Sequence, residues 1–351
     1  MASILLRFAP PLLMICCLGI IGLILTGTSL SELLDFSLDP AFIPSFKTMF
    51  ISIILEAFPF ILLGVLFSAL LQVFVSDSVI QRFTPKNPVA GVLFGSLLGL
   101  LFPLCECGMV PVVRRLIRKG MPAYIGIVYI IAGPILNPVV YTATWTAFRT
   151  RPEIAYSRMG LAFGVSVITG LILYKVIRSN PLKQASPATG VIHSHDHHHG
   201  HHHSHDHGHA GTASVKNRFA STLSHASDEF FEMGKYLIFG ALLTALIQTG
   251  LSRDTLAGVG EQPVLSNLFM MAFAFVLSIC STSDAFIAAS FTGTFSAGSL
   301  LAFLVFGPMI DIKNTLMLLS TFRTKIVLAL IFITGTLVLI GSILTERLFF
   351  S

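Results

Sequence analysis

Two cysteines and a glutamate stand together in "PLCECGMVP", residues 103–111, and a third cysteine opens "CSTSDAF", residues 280–286. Thiolates are soft ligands that select thiophilic metals and metalloids. Neighbouring carboxylates balance a cation's charge or exchange protons with it. Cys105, Glu106 and Cys107 therefore form one candidate substrate-binding group, and Cys280, Ser281, Thr282, Ser283 and Asp284 a second. Two further sets follow Gly-Pro pairs: Asn137 after Gly133-Pro134, and Asp311 with Lys313 after Gly307-Pro308. Ionisable groups in such apolar surroundings are expensive to hold and usually functional. Asp311 and Lys313 also have a structural alternative, pairing with each other or with Asp284. Glu56 and Glu232 either relay protons or bond a neighbouring backbone. Cys16 and Cys17, inside an apolar run, read as packing residues.

The elements that must position these groups are membrane helices. The chain has 351 residues, 54% hydrophobic and only 11% charged, with a mean hydropathy of +0.83. Soluble domains carry about 25% charged residues, and a membrane helix needs roughly 20 apolar ones. Apolar segments run over 10–28, 46–75, 89–112, 122–148, 156–178, 229–250, 264–290, 298–320 and 326–349. An all-α polytopic membrane protein is expected, not a barrel of short alternating strands. The net charge of +5 then reports orientation and gives no reason to expect nucleic acid. The run after Arg7 lacks a clear cleavage site and reads as an N-terminal membrane helix within 1–30.

The chain is duplicated. "EAFPFILLGVLFSALLQ" at 56–72 matches "EMGKYLIFGALLTALIQ" at 232–248, an offset of 176 that pairs Glu56 with Glu232 and Gly64 with Gly240. Pro88-Val89 matches Pro263-Val264 at offset 175, which carries Cys105 onto Cys280. "AGPILNP" at 132–138 matches "FGPMIDI" at 306–312 at offset 174, which sets Asn137 opposite Asp311. The first repeat spans 46–178 and the second 229–350.

Segments 89–120 and 264–297 decide the topology. If they cross the membrane the repeats are parallel; if they dip in and return the repeats are inverted. The positive-inside rule arbitrates. With re-entrant hairpins one side receives Arg7, Arg82, Lys86, Arg114, Arg115, Arg118, Lys119, Lys175, Arg178, Lys183, Lys216, Arg218, Arg323 and Lys325, fourteen in all. The other side receives six: Lys47, Arg149, Arg151, Arg158, Arg253 and Arg347. The crossing arrangement divides them eleven to nine, so hairpins are expected. Inverted repeats with broken helices meeting at the midplane are a common transporter plan. The stretch from each Pro-Val start to its tip, about 16 residues or roughly 24 Å as helix, passes the middle of a hydrocarbon core. Cys105 and Cys280 are expected to face each other there.

Between the repeats lies a polar linker, 179–228, expected to be disordered and cytoplasmic together with the N-terminus. It holds "HSHDHHHGHHHSHDHGH", with His193, His195, His197, His198, His199, His201, His202, His203, His205, His207 and His209. Neutral imidazoles suit Zn, Cu and Ni, so the tract is expected to take zinc or another divalent metal. No tightly bound cofactor is otherwise expected, and no Walker motif is present.

"PLCECGMVPVVRRLIRKGMP", "AGPILNPVV", "CSTSDAFIAASF" and "FGPMIDIKN" together resemble the predicted permease family that includes the organoarsenical efflux permease ArsP. The resemblance spans about 46–350 and implies an integral membrane permease. It also implies roles for Cys105, Cys107, Cys280 and Asp284, which match the family's motif positions. The family places a small polar residue between the paired cysteines. This chain has Glu106, an added carboxylate that suits a cation.

The expected protein is a non-enzymatic efflux permease of a bacterial plasma membrane. Its substrate is small and thiophilic: a soft or borderline metal ion, or a trivalent organoarsenical. Two other classes remain open. One is a membrane thiol-disulfide oxidoreductase using Cys105 and Cys107. The other is a metal-sensing or docking subunit that works with a second membrane protein.

Overall fold

Long apolar runs make the helices, and caps and prolines at the membrane centre cut them. The computed structural model describes residues 42–85, 87–101, 105–176, 182, 215–250 and 263–350. The predicted helix within 1–30 (with Cys16 and Cys17), the histidine tract, and Pro103 and Leu104 of the first tip lie outside the described residues.

In chain order the helices are α1 (Phe42–Phe74), α2 (Asp77–Phe83), α3 (Pro88–Leu101), α4 (Glu106–Arg118), α5 (Ala123–Ala132), α6 (Pro138–Ala147) and α7 (Glu153–Val176). Then come α8 (Val215–Gly250), α9 (Pro263–Leu277), α10 (Asp284–Ser290), α11 (Ala297–Met309), α12 (Ile312–Thr321) and α13 (Thr324–Phe349). Helix α8 starts at Val215, inside the stretch whose polarity suggests linker. Residues 215–228 contain neither Pro nor Gly to stop a helix. Among the described residues, five segments are long and apolar enough to cross a membrane: Ile43–Gln72, Glu153–Val176, Phe230–Thr249, Ala297–Thr321 and Thr324–Phe349. Ala297–Thr321, the α11–α12 pair, is buried except at Leu319 and Ser320 and forms the centre of the bundle.

Both doubtful segments are hairpins. A Cβ on Gly95 would stand 2.8 Å from the Ile125 carbonyl, and one on Gly99 would strike Gly133, so α3 and α5 run side by side in the same direction. Gly126 meets Val113 and Ile117, whereas Gly133 meets Met109, so α5 runs against α4. Helices α3 and α4 are therefore antiparallel. Lys119 at the end of α4 donates to the Val75 carbonyl at 2.5 Å, and Gly120 packs on Gln81. The first hairpin thus ends beside the loop from which it set out. In the second half, Ser266 bonds Ser299 at 2.8 Å and Gly307 meets Ala274, so α9 and α11 run in the same direction. After α10 the chain returns until Phe295 stacks on Phe269 of α9.

The two hairpins enter from opposite faces. Phe295 clusters with Phe148 and Ile154, at the corner joining α6 to α7, which lies across the molecule from Gly120. The repeats are inverted. Helix breaks are repeated as well. Asn137 caps α6 by accepting from the Val139 amide at 2.9 Å, and Asp311 caps α12 by accepting from the Asn314 amide at 2.5 Å. Gly133-Pro134 ends α5 directly, but α11 continues through Gly307-Pro308 to Met309. The second break therefore starts three residues later, while the capped helices that follow, from Pro138 and from Ile312, begin at equivalent positions.

The outer helices do not follow the symmetry. Helices α1 and α8 pack along each other antiparallel, with Ile53 on Ala241 and Ala245 and Phe58 against Phe230. Gly64 of α1 is pressed on Gly108 of α4, while its counterpart Gly240 on α8 meets Lys313 of α12. Backbones approach closely where both partners are small.

Candidate functional site

Helix α4 begins in the middle of the bundle, and its first residues are the cysteine motif. Cys105 is the N-cap, its carbonyl accepting from the amides of Gly108 at 3.1 Å and Met109 at 3.2 Å. Glu106 is 3% exposed and Cys107 4%. The Cys105 and Cys107 thiols interact with each other. The positive end of α4 favours the negative charge of Glu106 at its first position.

Helix α12 also begins there, and its N-cap is the second acid. Asp311 and Lys313 are 1% and 5% exposed. Glu106 lies within electrostatic reach of both, and Cys280 within reach of Glu106 and Glu56. Lys313 interacts in the same way with Asp311, Cys107, Glu106 and Glu56. The sequence-predicted residues Cys105, Glu106, Cys107, Cys280, Asp311, Lys313 and Glu56 therefore share one electrostatic neighbourhood. Glu56 is exposed, partway along the α1 span, and forms the outer edge of this group. Buried atoms without a hydrogen-bond partner gather here: Glu106 Oε2, Asp311 Oδ2, Asn314 Oδ1 and Thr315 Oγ1. Each such group carries a desolvation penalty of about 1–3 kcal/mol. Among the described residues no three His, Cys, Asp or Glu side chains converge closely enough to hold a metal ion.

Other predicted residues stand apart. Asn137 spends its side-chain oxygen on capping α6. Thr282 packs beside Cys280, its Oγ1 3.5 Å from the sulfur, and Ser283 is exposed. Asp284 pairs with neither Asp311 nor Lys313. Its Oδ2 accepts from Arg158 Nη2 at 2.7 Å, and Arg158 also donates to the Ser281 carbonyl at 3.2 Å. Glu232 forms an ion pair with Arg114 at 3.0 Å.

Arg158 and Arg114 correct the charge count. Both count as topology markers in the charge tally, yet Arg158 is 0% exposed and Arg114 lies buried inside α4. The signal for Arg158 was in the sequence: it falls two residues inside the apolar run that starts at 156, where an unpaired charge is not tolerated. Its partner lies 126 residues away and is not visible from the sequence alone.

Opposed halves with re-entrant hairpins, broken helices and a buried polar centre define a multi-pass membrane permease. The chain belongs to the predicted permease family, whose model matches residues 43–347. It is 47% identical over 301 residues to "UPF0718 protein YcgR" of Bacillus subtilis, covering 86% of this chain and 96% of the relative. It is 35% identical over 292 residues to a Streptococcus mutans protein, covering 83% and 92%. That protein bears the name "Putative two-component membrane permease complex subunit". No solved structure matches the chain.

Proposed function

We propose that this permease moves a thiophilic substrate, a soft or borderline metal ion or a trivalent organoarsenical, out of the cell. The observation that carries this reading is the burial of Glu106 and Cys107 beside Cys105 at the start of α4, with Glu106 in electrostatic reach of Asp311, Lys313 and Cys280. A thiol pair suits a trivalent arsenical directly. A metal ion needs a third ligand, and Cys280 or Asp311 supplies it when the hairpins close. Glu106 and Asp311 offset a cation's charge, and Lys313 balances them when the site is empty. Asn137 and Asp284 serve the frame, as does Glu232. Ser281, Thr282 and Ser283 shape the second tip, and no chemical step is asked of any residue.

The membrane is taken as a bacterial plasma membrane. The face bearing Lys119, Arg323 and Lys325 is taken as cytoplasmic, along with the N-terminus and the histidine tract. The tract would load with zinc or another divalent metal on that side. The name of the S. mutans relative supports a second membrane subunit as a partner here also.

Cells expressing wild-type protein should accumulate less phenylarsine oxide or Cd2+ than cells expressing Cys105→Ser. Equal accumulation of both probes would remove the thiol site from the mechanism. Zinc uptake by a peptide spanning 193–209 tests the tract separately.

A further inference from the structure

Cys280 hangs between two anchors, one in each half of the molecule. On one side is Ser278, a non-glycine residue held at φ 47, in the left-handed region. Its hydroxyl accepts from the Ile312 amide at 3.1 Å and lies 3.2 Å from the Phe275 carbonyl, to which it donates. That ties the tip to the start of α12. On the other side is Arg158 of α7. Its Nη1 donates to Thr144 Oγ1 at 2.7 Å, and its Nη2 donates to Asp284 Oδ2 at 2.7 Å and to the Ser281 carbonyl at 3.2 Å. The turn so gripped is closed by Cys280 itself, whose carbonyl accepts from the amides of Ser283 at 2.9 Å and Asp284 at 3.0 Å.

We propose that Arg158 is a positioning residue of the transport site: it clamps the turn that carries Cys280 onto the first half and so fixes where the third thiol stands. The role rests on the thiol-site reading above. Only a guanidinium fits it, because one planar fork reaches a hydroxyl, a carboxylate and a backbone carbonyl together, whereas an ammonium is a single point charge. Net stability does not account for the pair. Replacing a buried ion pair by apolar residues is often neutral or stabilising. What the pair supplies is a defined geometry at a backbone stretch of non-helical residues, 278–283, that has few other ties.

The test uses membranes containing the chain with Cys280 as its sole cysteine, and reads the rate of N-ethylmaleimide labelling. The double variant Arg158→Met/Asp284→Leu removes both charges together and avoids stranding one. It should label at least about tenfold faster, the change produced by losing roughly 1.4 kcal/mol from the closed tip. Arg158→Lys should fall between the double variant and the parent. In a chain whose sole cysteine is Cys105, the double variant should leave labelling within about twofold of its parent. A monodisperse double variant that labels Cys280 at the parent rate overturns the clamp. So does equal acceleration at Cys105, which would mark general loosening. The underlying reading is scored separately. In the chain with all its cysteines, protection from labelling by Cd2+ supports the thiol site, and absence of protection overturns that site whatever the double variant does.

Discussion

Asn137 and Asp311 do the same job 174 residues apart: each ends an irregular break and caps the half-helix that follows, through Val139 and Asn314 respectively. The equivalence separates two roles that Asp311 combines. Asn caps as well as Asp but carries no charge. Asp311→Asn should therefore keep the thermal midpoint of the wild type while transport of Cd2+ falls. Asp311→Ala should lose both, with about 1 kcal/mol of cap energy gone. Asn137→Ala should lose a similar amount of stability and keep transport. Thermal unfolding in detergent and uptake by the same preparations decide it, and loss of transport in Asn137→Ala would return that residue to the site.

Glu106 distinguishes the two substrate classes. Removing its charge weakens a site for a cation more than a site for a neutral arsenical. Glu106→Gln should reduce Cd2+ export about tenfold while phenylarsine oxide export stays within about twofold of wild type. Equal loss for both probes would make Glu106 a structural residue.

Hairpins and crossing helices predict different labelling from outside the cell. Ser78 and Thr150 lie on opposite faces of the structure, and Thr294 shares the face of Thr150. In a cysteine-free background, a membrane-impermeant maleimide applied from outside should label Thr150→Cys and Thr294→Cys and spare Ser78→Cys. If the two segments crossed, Thr150 and Ser78 would behave alike.

Gly64 and Gly240 are matched in sequence but not in surroundings. A Cβ on Gly64 would stand 2.5 Å from the Gly108 backbone, whereas one on Gly240 would stand 3.3 Å from Lys313. Gly64→Ala should therefore lower stability by about 1–3 kcal/mol, as overpacking does. Gly240→Ala should be milder. Paired thermal midpoints check the order.

Glu232 pairs with Arg114, and the carboxylate side chain remains 38% exposed while the arginine is 9% exposed. A pair open to solvent on one side contributes about 1 kcal/mol or less. Glu232→Gln should lower stability by that amount and leave the pH dependence of transport unchanged. A shifted pH profile would restore Glu232 as a proton relay.

Much of this architecture was legible because duplication leaves a record. The offsets of 176, 175 and 174 match Gly64 with Gly240, Cys105 with Cys280 and Asn137 with Asp311 from the sequence alone. The basic residues beside the first hairpin gave its return. Pairings across long separations were not legible. Asp284 had two candidate partners on its own half, Asp311 and Lys313, and the real one, Arg158, sits on the other half among the charges tallied as topology markers. Arg114 misled for the same reason: a charge near a span end looks like a topology marker until its partner is seen. The placement of α1 and α8 was also hidden, since nothing in two similar apolar helices says which inner helix each will choose.

That unequal choice bears on kinetics. The return arm of the first hairpin, α4, is 13 residues long and is braced by Gly64 of α1. The return arm of the second, α10, is 7 residues long and rests on the α6 side of the bundle without such a brace. A carrier whose two doors are hung on different frames does not open them with equal ease. Substrate offered to one face then meets a different half-saturation concentration from substrate offered to the other, and reconstituted vesicles of mixed orientation would show two saturating components where a symmetric carrier shows one.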